Sequence, residues 1–229
     1  MMLQRKSNKI IFYFFLFLIV SSINNFDLNN IKLAKIKNIN VSGLDYEDKK
    51  KFLKEIKSLE LKNIFSFDTL ELKKIFAENT LIENYKIFRI YPSTLAIEIQ
   101  KTSFLAKISS NNKIYVVGTN GKLSNSNISK IKLPFIFGNP DIKNFLKFKK
   151  IIDDSKISYN QIKNIYYFQS KRWDLELENN ILLKLPKDNI KISLDNSFEF
   201  INFNNFLNNK IIDTRIENQI IVNERRSKS

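Results

Sequence analysis

Hydrophobic and polar positions along this chain fall into blocks whose period changes several times. The first block is unbroken: Ile10 to Val20 is apolar throughout, preceded by Arg5, Lys6 and Lys9 and followed by Ser21-Ser22-Ile23. From Ile36 to Val41 the period is two, with Ile39 and Val41 on one face of a strand that Ser42-Gly43 ends. Asp45 then caps a helix, with Asp48 three residues on, and Phe52, Leu53, Ile56 and Leu59 recur at helical spacing. Ile64, Phe65 and Phe67 sit in a loop and plug the open end of a small core. Asp68-Thr69-Leu70-Glu71 is a capping box, and Leu72, Ile75 and Phe76 form the stripe of a second helix that Asn79 and Thr80 end. Ile82 to Ile90 reads as a strand. Tyr91-Pro92-Ser93-Thr94 is a turn with proline at its second position, and Thr94 to Gln100 alternates cleanly with Leu95, Ile97 and Ile99 inward. The block from 36 to 107 therefore predicts a βααββ unit, a three-stranded sheet covered on one side by two helices.

The region from 108 to 223 reads differently. Ile114 to Val117 is a short strand, and Gly118-Thr-Asn-Gly121 is a hairpin turn. Asn139-Pro140 predicts a helix start, with Asn as cap and Pro at the first position. Ile142, Phe145, Leu146, Lys149 and Ile152 share one side of that helix. Successive antiparallel strands follow: Gln161 to Gln169, Arg172 to Leu177 in strict alternation, and Ile181 to Leu185 after a turn at Glu178-Asn179-Asn180. Asn180 there takes the place of the residue with positive φ. Ser197 to Asn208 reads as a short helix turning Phe198, Ile201 and Phe206 inward. The last strands are Ile211 to Arg215 and about Gln219 to Asn223, and Glu224 to Ser229 is a charged tail expected to be disordered.

Composition narrows the chemistry. There is no Cys and no His among 229 residues. That removes thiol nucleophiles, disulfides, Cys/His metal sites and imidazole acid–base catalysis. The net charge of +15 comes from 32 Lys and only 6 Arg. The Lys are scattered, Arg is the preferred partner of bases and phosphates, and Lys, Ile, Asn and Phe share AT-rich codons. Compositional drift accounts for the charge better than nucleic-acid binding does. The Gly118–Gly121 turn is no phosphate loop, because no helix and no Lys-Ser/Thr pair follow it. Asp153-Asp154 is an adjacent carboxylate pair; with no convergent ligand nearby in sequence it reads as a solvated helix end. Ser126-Asn-Ile-Ser129-Lys130, Ser155-Lys156 and Ser170-Lys171 lack the Ser-x-x-Lys spacing of a cell-wall enzyme. No catalytic residue, cofactor, metal or small-molecule substrate is expected.

The N-terminal block is a targeting or anchoring element. The basic residues before it place the first nine residues in the cytoplasm and the bulk of the chain across the membrane. Ile10 to Ile23 spans about 21 Å as a helix against about 30 Å of hydrocarbon, which suits a signal peptide, with Val20 and Ser22 at the cleavage positions. Snorkelling of Lys9 and local thinning of the bilayer suit a retained anchor instead.

Several segments together resemble one family. Ile39-Asn-Val41-Ser-Gly43, Asn63-Ile64-Phe65 and Arg89-Ile-Tyr91-Pro92-Ser93-Thr94-Leu95-Ala96-Ile97-Glu98-Ile99 look like a POTRA domain, specifically that of the bacterial cell-division protein family FtsQ/DivIB. The family continues with Glu-Arg or Glu-Lys and a Pro, where this chain has Gln100-Lys101-Thr102-Ser103. Leu133-Pro134…Gly138, Arg172-x-Trp173-x-Leu175-x-Leu177 and Ile212-Asp213-x-Arg215 resemble the same family. Its Asp-x-x-Gly turn is matched only loosely at Gly118–Gly121. The resemblance implies an α+β fold in six parts. They are a cytoplasmic tail (1–9), a transmembrane signal-anchor (10–23), a linker (24–35), a POTRA domain (36–107), a mostly antiparallel β domain with one or two helices (108–223) and a tail (224–229). It implies a bitopic scaffold of the inner membrane at the division septum, with its bulk in the periplasm. Such a scaffold binds FtsB-like and FtsL-like proteins through its final strand and further divisome members through the POTRA domain. On this chain that strand corresponds to Arg215, Ile216, Asn218, Gln219, Ile220 and Val222. Arg215 matches by residue type and the others by position, and the alternative for Ile216, Ile220 and Val222 is ordinary strand core. The competing function is an envelope assembly or secretion factor using its POTRA domain as a chaperone module.

Overall fold

The computed structural model describes residues 7–22, 35–59, 61, 64, 69–125, 132–205 and 208–225. The expectations for Phe65, Phe67, Asp68 and Phe206, for residues 1–6, for residues 23–34 and for residues 226–229 lie outside them. The apolar block forms helix α1, Ser7–Ser22. Its 16 residues span about 24 Å, and no helix among the described residues is long and apolar enough to cross a membrane.

The βααββ unit folds as its pattern predicts. Strand β1 (Asn38–Ser42) is followed by helices α2 (Tyr46–Lys57) and α3 (Thr69–Glu78) and strands β2 (Ile82–Ile90) and β3 (Thr94–Lys101). The sheet order is β1-β3-β2, with β1 parallel and β2 antiparallel to the central β3. Val41, Phe52, Ile56, Leu72, Phe76, Leu95 and Ile97 form the core, and Ile64 is completely buried. Phe76 stacks on Tyr85 with ring centroids 3.8 Å apart. Asp45 is the N-cap of α2 but makes no side-chain capping bond. Its carboxylate instead accepts from Lys101 Nζ, as does that of Asp48, so the start of α2 is tied to the end of β3. Gly43 ends β1 at φ +91°, and a Cβ there would lie 1.7 Å from the Ile99 carbonyl oxygen.

The second sheet begins at β4 (Phe104–Ser110), directly after Thr102-Ser103. Among the described residues it has nine strands in the order β12-β11-β10-β9-β8-β7-β4-β5-β6. The remaining strands are β5 (Lys113–Gly118), β6 (Leu123–Ser124), β7 (Phe135–Phe137), β8 (Ile162–Tyr167), β9 (Trp173–Leu177), β10 (Leu182–Lys184), β11 (Lys210–Asp213) and β12 (Ile221–Glu224). The sheet is mixed: β4–β7, β7–β8 and β10–β11 pair in parallel. Neighbouring parallel strands require a crossover. Helix α4 (Ile142–Asp153) makes the one from β7 to β8, and helix α5 (Ile190–Phe203) the one from β10 to β11.

Three sequence expectations shift here. Helix α4 starts at Ile142 rather than at Asn139-Pro140, because the Asp141 carboxylate accepts from the Lys143 amide and caps it. It buries Phe145, Phe148 and Ile152, while Lys149 pairs with Asp153 and lies over the Tyr159 ring. Helix α5 runs from 190 to 203 rather than 197 to 208. Its buried stripe is Ser193, Leu194 and Ser197, which gives little hydrophobic period to read. Strand β9 is buried along its whole length, Asp174 and Glu176 included, although its alternation predicts one wet face. Trp173 anchors the core side by stacking on Phe148 at 4.5 Å.

The two sheets meet at the β5–β6 turn. Asn120 Nδ2 donates to the carbonyls of Thr80 (3.0 Å) and Ile82 (2.9 Å). Lys122 Nζ donates to the Asn79 carbonyl just beyond the end of α3. Thr102 and Thr119 both donate to Glu83, and Thr80 donates to Ser124. One domain thus satisfies backbone acceptors of the other at a helix end, where they have no intrahelical partner.

Two outcomes follow. Gly43→Ala is expected to cost at least about 2 kcal/mol, since it combines positive φ with a steric clash; urea denaturation of the full chain measures it. Asn120→Ala removes its two bonds to the first domain and the one its Oδ1 accepts from the Lys122 amide, each worth about 1 kcal/mol. It is expected to speed amide exchange at Thr102 and Thr119 while leaving β9 protected.

Candidate partner-binding groove

The arrangement of α5 and the β11–β12 turn produces a groove of about 1010 Å³. Asn189, at φ +56°, starts α5. The buried stripe of the helix faces the sheet, and this turns Ile192, Asn196, Glu199 and Phe203 outward at successive helical turns along the groove wall. Phe203 is 87% exposed and Ile192 59% exposed, near opposite ends of the helix. The opposite wall is Thr214 to Ile220. The floor is polar and satisfied: Ser193 and Thr214 share a hydrogen bond, Thr214 donates to the Lys184 carbonyl, and Ser197 donates to the Ser193 carbonyl. The mouth carries both signs of charge, from Lys187 and Arg215 and from Asp188, Glu199 and Glu217.

The predicted binding residues separate into two groups. Arg215, Ile216, Asn218, Gln219 and Ile220 all line the groove. All five belong to the connection between β11 and β12 rather than to the final strand. The chain folds back there, with Asn218 at φ +58° and the Gln219 amide donating to the Ile216 carbonyl. Ile216 is 52% exposed, whereas Ile220 packs against the main core. Val222 lies outside the groove on β12, opposite Ile212 of β11. The α5 wall escapes a sequence reading because Ile192 and Phe203 are eleven residues apart and separated by polar positions.

Strand β12 ends the sheet order, so among the described residues it has a strand neighbour on one side only. At the other end the two-residue β6 lies at the contact with the first domain. An edge of the first kind leaves backbone donors and acceptors open to another strand.

Carboxylates hold this end of the sheet in place. Arg215 makes a two-pronged contact to Asp213, Nε to Oδ1 at 2.8 Å and Nη2 to Oδ2 at 2.5 Å. That contact holds the Asp213 carboxyl below its usual range. Arg225 reaches back from beyond β12 to Glu176 at 2.8 Å, and its amide donates to the Asn209 carbonyl. Glu224 lies in β12 and pairs with Lys210. The segment read as a disordered tail therefore begins with two residues that clasp the sheet. Glu176 also accepts from Asn164 and Tyr166. Burial alone would push the Glu176 carboxyl up, but these three donors bring it below its usual value. Tyr166 is pushed up to about 12, by burial first and by Glu176 second. Burial raises Asp174, with the Arg172 contact only partly offsetting it.

A depressed carboxyl contributes stability above its unfolded value and loses it as pH falls through the folded one. Glu176 and Asp213 act in that direction, and Asp174 acts against them. Full-chain stability is therefore expected to fall as pH is lowered from about 7 to about 3. Glu176→Gln is expected to weaken the chain at neutral pH and flatten that acid limb, read by urea denaturation at each pH.

Among the described residues no cluster of acidic side chains is placed to hold a metal ion. Residues 34–101 match the family model of the POTRA domain, FtsQ-type. Among curated proteins, none matches the chain. The major extracytoplasmic domain of the cell-division protein DivIB (trans isomer) from Geobacillus stearothermophilus is similar over 44% of this chain and 91% of that one, at 11% identity and a TM-score of 0.33. At that level the likeness adds nothing to the fold. The match across β1 to β3 is the finding that counts: residues 34–101, under a third of the chain, are an FtsQ-type POTRA domain.

Proposed function

We propose that the chain is a non-enzymatic, single-pass scaffold of the division complex. In this reading α1 lodges in the inner membrane with the N-terminus in the cytoplasm. The POTRA and β domains stand in the periplasm at the septum. The groove between α5 and the β11–β12 turn, together with the open edge of β12, receives an FtsB-like or FtsL-like partner, and the POTRA domain meets further divisome members. The observation that carries this is the coincidence of a groove bearing exposed apolar side chains with an open strand edge. A partner can lay a strand along β12 and set side chains against Ile192, Phe203 and Ile216. The apolar surface of α1 supports the membrane assignment. Every residue from Ile10 to Val20 is at least 47% exposed, and lipid is the solvent that suits such a surface. Its shortfall against about 30 Å of hydrocarbon calls for local thinning and snorkelling.

Phe203→Asp combined with Ile216→Asp tests the site, because both side chains are exposed and neither supports the core. The double variant is expected to fold as the parent does and to bind the FtsB-like partner at least about tenfold more weakly in a pull-down titration. Undiminished binding would sink the reading. Deleting residues from Ile211 onward is a blunter test, because it also removes the buried Ile212 and the Arg225–Glu176 contact.

A further inference from the structure

The β2–β3 hairpin of the POTRA domain ends in an exposed apolar tip whose position is set by where the chain arrives from α1. Strand β1 starts at Asn38, which lies beside Thr94 of β3, and Thr94 lies beside Ile90 of β2. The Ser93 carbonyl accepts from the amides of Lys37 and Asn38. The incoming chain is thus fastened to the hairpin tip itself. Fifteen residues, 23 to 37, separate α1 from β1, a reach of at most about 50 Å.

The tip has a particular chemistry. Phe88, Ile90 and Tyr91 are 44%, 50% and 56% exposed. Phe88 and Ile90 share the sheet face that turns away from the POTRA core, beside Ala96 and Thr94. Across residues 35–40 and 85–97, which build this end, the charged side chains are Lys35, Lys37, Lys86 and Arg89, all basic. Among the described residues of the sheet, the acid on that face next to these is Glu98, opposite Lys86 and farther from the tip. Aromatic and aliphatic side chains ringed by Lys and Arg suit the boundary between acyl chains and anionic headgroups. The exposed apolar side chains of the groove have charges of both signs around them instead.

We infer that this tip dips into the membrane interface and contacts anionic lipid, so that the POTRA domain is seated on the bilayer by two contacts, its anchor and its hairpin. The inference rests on the reading of α1 as a membrane element. Three apolar side chains bind lipid weakly on their own. Tethering through α1 raises their effective concentration at the bilayer, so weak affinity suffices. Seating the tip fixes the tilt of the POTRA domain. Through the Asn120 and Lys122 contacts it also fixes the direction in which the β domain presents its groove.

The chain has no cysteine, so Tyr91→Cys carries a unique environment-sensitive fluorophore, with Lys163→Cys on β8 as the distant control. The labelled full chain is reconstituted into vesicles of phosphatidylcholine with and without phosphatidylglycerol, and flotation reports incorporation. The expected result is a blue-shifted label at position 91 that bromine-bearing lipids quench, more strongly in the anionic vesicles, and a water-like label at 163. Ile90→Cys, as a second labelling site, is expected to behave like position 91, and Phe88→Ser is expected to reduce the quenching at 91. A water-like label at both 90 and 91 in a chain that floats overturns the inference and leaves the anchor standing. A shielded label that lipid quenchers do not reach assigns the tip to a protein contact and also overturns it. A chain that does not float removes the anchor reading and this inference together.

Discussion

A nine-stranded open sheet has two ends, and each must be dealt with. At one end β6 is two residues long and lies against the first domain, where Asn120, Lys122 and Ser124 engage the segment between α3 and β2. That contact satisfies carbonyls near the end of α3 and takes one edge out of play. At the other end nothing among the described residues pairs with the outer side of β12. The asymmetry gives the molecule a direction, with a closed end toward the POTRA domain and an open end away from it.

The groove at the open end is a consequence of topology. Strands β10 and β11 pair in parallel, so the chain must cross the sheet between them, and α5 is that crossing. The return through the β11–β12 turn then runs beside the helix, and the space between them is the groove. Ser193 and Ser197 are small enough to let helix α5 approach the sheet, and Leu194 packs into the core beside them. The apolar residues it does not need for that contact, Ile192 and Phe203, are left at the groove wall. The edge strand itself is clasped by Arg225 to Glu176 and by Lys210 to Glu224. The platform beside the groove therefore depends on ion pairs as well as on the single buried Ile212.

The POTRA end has its own logic. Its core is closed by Phe52, Phe76 and Leu95 on one face of a three-stranded sheet. The other face is free to carry the basic, apolar tip at Phe88 to Tyr91. A domain hydrogen-bonded to its neighbour through Asn120 and Lys122 and seated at the bilayer acts as a bracket that sets where the groove points.

The sequence by itself determined the POTRA unit almost completely. Its contacts are local, its periods are clean, and its turns carry Gly43 and Pro92 at the positions where those residues are informative. It also pointed to the region of Arg215 to Ile220 through resemblance. The tertiary structure alone decided that the second sheet is mixed, because parallel pairing joins strands separated by a helix and leaves no mark on alternation. It alone decided that Asp174 and Glu176 are buried, because groups that partner Glu176, Tyr166 and Arg225, come from other segments. It decided as well that Arg215 to Gln219 form a turn facing α5 and not a strand. That placement depends on where a helix more than ten residues upstream comes to rest against the sheet, and no local pattern encodes it.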